Sequence, residues 1–360
     1  MKARQQLTAL HPRYIRLLVD WAALQPRAEE PAVLSGEVEG CARAVGPCSA
    51  YAGLREELAA IASQQRAARA EGGEGFEVVL DLFGVPAWAA RPPGGCEQGD
   101  THAFSRPLSA AGLAGYRALI RSLLALGARE GVALDWFSPW NEPNDAVFLS
   151  PQRQDCTIAS PTLAPTVYAQ LARAMADELH AAGGSRHILL GELNAFQEPS
   201  PHRTSIAEFV AGLGQEVICL STVWSVHAYA RRDKAIPELE AVAELEAALD
   251  RRGPCGQRAR IWVTEAGAGA PHPGRQRIPG LAEESDGCVA LARQLEGWVA
   301  DPRVQAVFQY SFREDPAFPV GLLSADLSHV YPAYNLWREY TRARASGRAL
   351  STQAARSACA

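Results

Sequence analysis

Short apolar runs rich in β-branched and aromatic residues alternate along this chain with longer amphipathic stretches. Seven of the short runs read as strands: YIRLLVDW (14–21), FEVVLDLF (76–83), LDWFSPW (134–140), HILLGEL (187–193), CLSTVWSVHAY (219–229), RIWVTEA (260–266) and VQAVFQYSF (304–312). Between them, segments 54–70, 115–130, 168–182, 236–252 and 287–300 carry apolar residues three and four positions apart, the period of a helix with one buried face. Several strands are apolar almost throughout, as parallel strands covered on both sides must be. Alternating strands and helices without a linker or composition shift predict an α/β fold, a single (β/α)8 TIM barrel, over residues 1–345. Its first strand is expected to be missing or truncated, because the first run begins at Tyr14. Residues 346–360 are small, polar and basic, and read as a flexible tail.

Composition narrows the function more than the fold. The 360 residues are 48% hydrophobic and 21% charged, with eight tryptophans, as in a globular protein with a large core. A formal charge of -5 and the lack of a basic stripe interleaved with aromatics argue against a nucleic-acid partner. No apolar run is long enough to span a bilayer. The opening segment MKARQQLTALHPRYIR lacks the apolar stretch of a signal peptide, which alone reads as cytoplasmic. The eight cysteines pull the other way: none forms a CxxC pair, so they read as disulfide partners of a secreted protein rather than zinc ligands. Cys41 with Cys48 can close a short loop, Cys96 and Cys156 lie in Pro/Gly-rich loops, Cys255 and Cys288 flank one strand and its loop, and Cys359 falls in the tail. The competing reading is a set of reduced, partly buried thiols.

In a barrel the reacting groups project from the C-terminal strand ends. Here those ends carry Arg16 and Asp20, Asn141 and Glu142, Glu192 and Asn194, His227 and Tyr229, and Glu265. Glu142 and Glu265 thus face one mouth although they are 123 positions apart. Two carboxyl groups in unlike surroundings are what glycoside cleavage needs: one protonated to release the leaving oxygen, the other ionised to attack the sugar. Glu142, beside Trp140 and Pro143, is desolvated and suits the acid. Glu265, with Arg16 and Tyr229 as candidate partners, suits the nucleophile. Asn141 is placed to bond a sugar hydroxyl. Trp88, Trp136 and Trp140 are candidate sugar platforms; Trp88 is favoured and Trp136 is assigned to the core. GAGAPHPGRQR (267–277) lacks the GxGxxG spacing of a phosphate cradle and reads as a wall of the cleft. Taken singly, NEP is equally a helix-entry turn, Arg16 an interior ion-pair partner and His227 a satisfied core histidine.

Together, WNEPN, SVHAY, VTEAG and YIRLLVDW resemble the fourth-, sixth-, seventh- and second-strand signatures of the clan A retaining glycoside hydrolases, most similar to families 5 and 39. LDLFGVPAWA and VGLLSADLSHVYPAYNLW extend the resemblance from Tyr14 to Trp337. It implies a retaining O-glycoside hydrolase acting on a β-glycosidic bond, with Glu142 as acid/base and Glu265 as nucleophile. Arg16, Trp88, Asn141, Glu192, Asn194, His227, Tyr229 and Tyr310 are then the expected substrate-binding set. Tyr310 stands in for the eighth-strand tryptophan of the family, which FQYSF lacks. No cofactor or metal is implied, and the expected partner of the monomer is a carbohydrate. The alternative is a catalytically inactive carbohydrate-binding barrel.

Overall fold

The computed structural model describes residues 2–35, 53–73, 75–98, 102–229, 237–268, 282–315 and 318–360. Its strands are β1 (Tyr14–Asp20), β2 (Glu77–Phe83), β3 (Leu134–Ser138), β4 (His187–Ile188), β5 (Leu190–Asn194), β6 (Val223–His227), β7 (Arg260–Ala266) and β8 (Val304–Gln309). The helices are α1 (Lys2–Ala9), α2 (Trp21–Leu24), α3 (Leu54–Ala70), α4 (Ala110–Glu130), α5 (Ala164–Ala181) and α6 (Ile206–Gly212). They continue with α7 (Gln215–Ile218), α8 (Pro237–Asp250), α9 (Gly253–Gln257), α10 (Ala282–Ala300), α11 (Pro332–Ala345) and α12 (Thr352–Ala358).

All strand pairs are parallel and form two four-stranded sheets, β1-β2-β3-β4 and β5-β6-β7-β8. β4 and β5 are halves of the single run expected at 187–193, parted at Leu189. β8 does not pair with β1, so the barrel is not closed. Among the described residues no strand precedes Tyr14. Residues 2–9 are helical, and this end is held to α11 by Tyr334 Oη donating to Gln6 O at 2.9 Å and Thr341 Oγ1 to Leu10 O at 2.8 Å.

Side chains alternate across a strand, so inward residues recur every second position. The barrel uses this to stack two unlike layers. Val79, Leu189, Val223, Trp262 and Phe308, with Tyr14 and Trp136 against them, form an apolar plug. Two residues further along the strands the inward positions become polar: Arg16 after Tyr14, Asp81 after Val79, Ser225 and His227 after Val223, Thr264 after Trp262. The plug thus keeps water from entering beneath the charged layer. Trp136 packs against this floor, with its ring tilted against those of His187 and Trp262, as expected of a core residue. The main core, continuous from Leu10 to Cys359, fills the space between the sheet and the outer helices.

The C-terminal segment differs from the expected flexible tail. Ser351 caps α12 by accepting from Ala354 N, Ala355 is buried, and Cys359 forms a disulfide with Cys288 of α10. Small residues that looked uninformative in sequence make a short helix whose end is fastened covalently. Cys96 pairs with Cys156, and Cys219 with Cys255; the flanking position of Cys255 and Cys288 therefore reflects two different bridges. Cys41 and Cys48 lie outside the described residues, as do positions 269–277 of the expected cleft wall. No described helix is long and apolar enough to cross a membrane.

Candidate active site

The run WFSPWNEPND holds its carboxylate rigidly. Trp140 is fully buried with its indole donating to Phe148 O at 2.8 Å, and Tyr116 Oη donates to Pro139 O at 2.8 Å. Asn141 N donates to Leu82 O at 2.9 Å, and Glu142 N to Glu192 O at 3.0 Å. These bonds tie the loop to β2 on one side and β5 on the other. Asn144, fully buried, donates to Asn194 O and Thr204 O while accepting from Asn194 N. Glu142 itself has φ 39°, a left-handed conformation that costs a non-glycine residue free energy and persists only where the surroundings impose it.

At the top of the polar layer Arg16 is the hub. Its Nη1 donates to Glu265 Oε1 at 2.7 Å, and its Nη2 to Asp81 Oδ2 at 2.6 Å, Asn141 Oδ1 at 2.9 Å and Glu192 Oε2 at 3.3 Å. Tyr229 Oη donates to Glu265 Oε2. His227 lies between carboxylates, with Nδ1 at 2.8 Å from Glu142 Oε1 and 3.5 Å from Glu265 Oε2, and Nε2 at 2.6 Å from Glu192 Oε2. Thr264 Oγ1 donates to the same Glu192 oxygen at 2.6 Å. The side chains of Glu142 and Glu265 keep 12% and 10% exposure, whereas His227 keeps 1% and Asp81 and Glu192 none. Solvent therefore reaches the two expected reacting groups, along with the partly exposed Arg16 and Tyr229, but not the layer of His227, Asp81 and Glu192.

Burial dominates the electrostatics. It raises the Glu142 carboxyl above the ordinary range, with the His227 hydrogen bond and charge opposing and Glu265 and Asp145 adding to the rise. It also pushes Asp81 well up, against the pull of Arg16. For Glu192 burial is outweighed by Arg16, His227 and Thr264, which bring it down to about 2. For His227 burial opposes the charge, but Glu265, Glu142 and Glu192 lift it to about 10. The cluster thus sets two cations, Arg16 and His227, against the ion-paired Glu192 and Glu265, and leaves Asp81 and Glu142 inclined to hold protons.

An oxygen of Glu142, Nδ1 of His227 and an oxygen of Glu265 lie within 4.8 Å of one another, close enough to ligate one cation. The donor set does not favour it. A protonated His227 has no free lone pair, and Arg16 already supplies positive charge at Glu265. Cys96, Glu97 and His202 form a second close group, but Cys96 is committed to its disulfide.

Of the ten residues expected at the site, Arg16, Asn141, Glu142, Glu192, His227, Tyr229 and Glu265 converge. Glu192 differs from expectation in being fully buried, beneath His227, so it serves the cluster rather than the open mouth. Tyr310 joins Tyr229 and Phe318 in a half-buried aromatic group, with centroids 6.4 and 5.9 Å from Tyr310. Asn194 acts through its backbone, which locks the Asn144 loop. Trp88 is not brought to the carboxylates by any contact: its indole donates to Gln25 O at 2.9 Å and its ring packs edge-on to Trp21. Asp81 and Thr264 were not singled out in sequence, yet both touch the cluster. Asp81 carried a signal, being the charge inside the otherwise apolar VVLDLF; Thr264 carried none.

No family model and no curated protein matches the chain. Solved structures do. The chain is similar to the GH5_18 protein of Streptomyces cattleya in complex with GlcNAc, at 18% identity over 100% of this chain and 81% of that one, with a TM-score of 0.58. It is similar to the GH53 catalytic domain of Ignisphaera aggregans at 15% identity, 92% and 86% coverage and a TM-score of 0.51. It is also similar to a Bacteroides uniformis β-glucuronidase at 12% identity and a TM-score of 0.53, where 95% of this chain spans 32% of that one, about a third of its length. At such identities the likeness establishes the fold alone, the (β/α)8 type expected from the sequence.

Proposed function

We propose that this barrel is a retaining O-glycoside hydrolase acting on a β-linked carbohydrate. The observation that carries the reading is the convergence of Glu142 and Glu265 at a solvent-limited mouth with opposite surroundings. Burial raises the Glu142 carboxyl above the ordinary range, which favours its role as proton donor, while Arg16 and Tyr229 both donate to Glu265.

In the first step a Glu265 oxygen attacks the anomeric carbon as the glycosidic C–O bond breaks, and the departing oxygen takes the Glu142 proton. The sugar is then esterified to Glu265. In the second step Glu142, now a carboxylate, removes a proton from water, whose oxygen attacks the same carbon and releases Glu265. Two inversions leave the configuration unchanged. Reacting groups within 4.8 Å, oxygen to oxygen, suit direct attack better than the wider gap of about 6.5–9.5 Å that an inverting pair keeps for a water molecule. Asn141, held by Arg16 and by the β2 end, is positioned for the sugar hydroxyl next to the anomeric centre. The three disulfides among the described residues fit an oxidising, extracytoplasmic setting.

The test is a panel of aryl glycosides with Glu142→Gln and Glu265→Gln. For Glu142→Gln, substrates with a good leaving group should retain much more activity than those with a poor one, because only the latter need the acid. Glu265→Gln should be inactive toward both. Equal losses for the two kinds of leaving group in Glu142→Gln would reject the acid assignment.

A further inference from the structure

Resting on the glycosidase reading above, we propose that Glu192 is a positioning residue that keeps His227 a doubly protonated, fixed counter-charge shared between Glu142 and Glu265. The backbone is built to place it. Leu190 pairs with Trp224 and Leu193 with Val226, so Gly191 and Glu192 together oppose Ser225 alone. One extra residue in a strand is a bulge, a device that re-aims a side chain. Gly191 has φ 100°, and a Cβ there would lie 2.4 Å from Ser225 O, so glycine is required. Glu192 follows at φ 52°. Its amide donates to Ser225 Oγ at 2.7 Å, and Ser225 Oγ donates on to Leu190 O at 3.0 Å. The bulge turns a carboxylate into the barrel where it is completely buried, with Oε1 lacking a hydrogen-bond partner among the described residues. A conformation costly in backbone strain, desolvation and an unmet acceptor is maintained to put Oε2 2.6 Å from His227 Nε2.

The reaction explains what that contact accomplishes. Before glycosylation the negative charge of the reacting pair sits on Glu265; in the glycosyl-enzyme it sits on Glu142. His227 Nδ1, 3.5 Å from one and 2.8 Å from the other, faces both positions without moving. With Glu192 accepting from Nε2, the ring donates from both nitrogens through both steps. The charged and titratable groups facing the ring are Glu142 after β3, Glu192 on β5, Glu265 on β7, Arg16 on β1, Asp81 on β2 and Tyr229 after β6. Two of these lie on Nε2, the nitrogen that points away from the reacting pair: Glu192 Oε2 at 2.6 Å and Arg16 Nη2 at 3.5 Å. Of the two, only the Glu192 carboxylate accepts a hydrogen bond and carries a charge that favours the protonated ring.

Glu192→Gln keeps the shape and the acceptor while removing the charge. With 15N-labelled histidine in the full chain, His227 should be doubly protonated at pH 8 in the wild type and neutral in Glu192→Gln. Glu192→Asp should restore part of the charged form. Loss of the cation makes both reacting carboxyls easier to protonate, so the whole bell of kcat/KM for a 4-nitrophenyl glycoside should move to higher pH by about one unit, with kcat falling more than KM changes. A merely structural role would lower the bell without moving it. A neutral His227 in the wild type at pH 8, an identical ring state in Glu192→Gln, or an unmoved bell would overturn the proposal. If Glu192→Gln does not fold, the wild-type and Glu192→Asp ring titrations decide alone. A wild type that turns over no glycoside while its ring titration behaves as expected would reject the glycosidase reading and leave the positioning role standing.

Discussion

Replacing Arg16 by Met should expose how much of the barrel's stability the charged layer controls. The guanidinium, with a side chain only 6% exposed, bonds Asp81, Asn141, Glu192 and Glu265. Met fills part of its volume but supplies no charge, so two wholly buried carboxyls lose their shared partner. Breaking a buried pair from one side costs about 3–5 kcal/mol, because the abandoned charge remains in a poor solvent. Those carboxyls can escape by binding protons. In the variant the folded value of Asp81 rises further above its unfolded one, and Glu192 loses the largest influence that holds it down, so the penalty is full at high pH and shrinks as pH falls and the protonated forms take over. Urea unfolding of wild type and variant at pH 5 and pH 8 measures both the size and the slope. The expected loss is about 3–5 kcal/mol at pH 8 and visibly smaller at pH 5. A loss under about 1 kcal/mol at both values, or a larger loss at pH 5, would refute the view of Arg16 as the hub of a buried ion cluster.

Other outcomes follow from the same geometry. Glu265→Ala should abolish turnover of an aryl glycoside, and azide or formate should restore part of it by occupying the vacated position; no rescue at any concentration would count against Glu265 as nucleophile. Cys288→Ser opens a bridge spanning 71 residues, and should cost about 4 kcal/mol in urea unfolding under non-reducing conditions; an unchanged midpoint would mean that α12 docks without its tether. His227 is raised to about 10, so its stabilising contribution is complete below the unfolded value of about 6.5 and disappears as pH rises through 10. Glu192 is lowered to about 2, so its contribution is complete above the unfolded value of about 4.3 and disappears as pH falls through 2. A His227→Asn variant should therefore lose the alkaline decline in unfolding free energy that the wild type displays.

The outline of the barrel was legible because parallel strands buried on both faces must be apolar throughout, and their crossover helices apolar on one side. β7 at Arg260–Ala266 and α3 at Leu54–Ala70 coincide with the expected runs. The ends were harder. The run 219–229 is continuous in hydrophobicity, yet β6 starts only at Val223, because Gln215–Ile218 is helical and Cys219 is held to Cys255. α5 begins at Ala164, four residues before the expected start, at a Pro near the first turn. At the site, Glu142 and Glu265 were legible as acids closing apolar strands. The purpose of Glu192 was not, because it depends on a bulge that hydrophobic patterning does not encode. Trp88, an aromatic in a Pro-rich loop, carried no sequence sign of its anchoring: its indole nitrogen donates to Gln25 O and its partly buried ring packs edge-on to Trp21.

The central claim is that Glu265 forms a covalent bond to the sugar while Glu142 manages the proton. Incubation of the wild-type chain with 2-deoxy-2-fluoro glycosides bearing an activated leaving group, followed by proteolysis and mass spectrometry, tests this most directly. The account predicts a single fluoro-glycosyl adduct on Glu265 that disappears slowly as activity returns. An adduct on Glu142 or another carboxyl, or steady turnover to product of inverted configuration with no adduct, would contradict it.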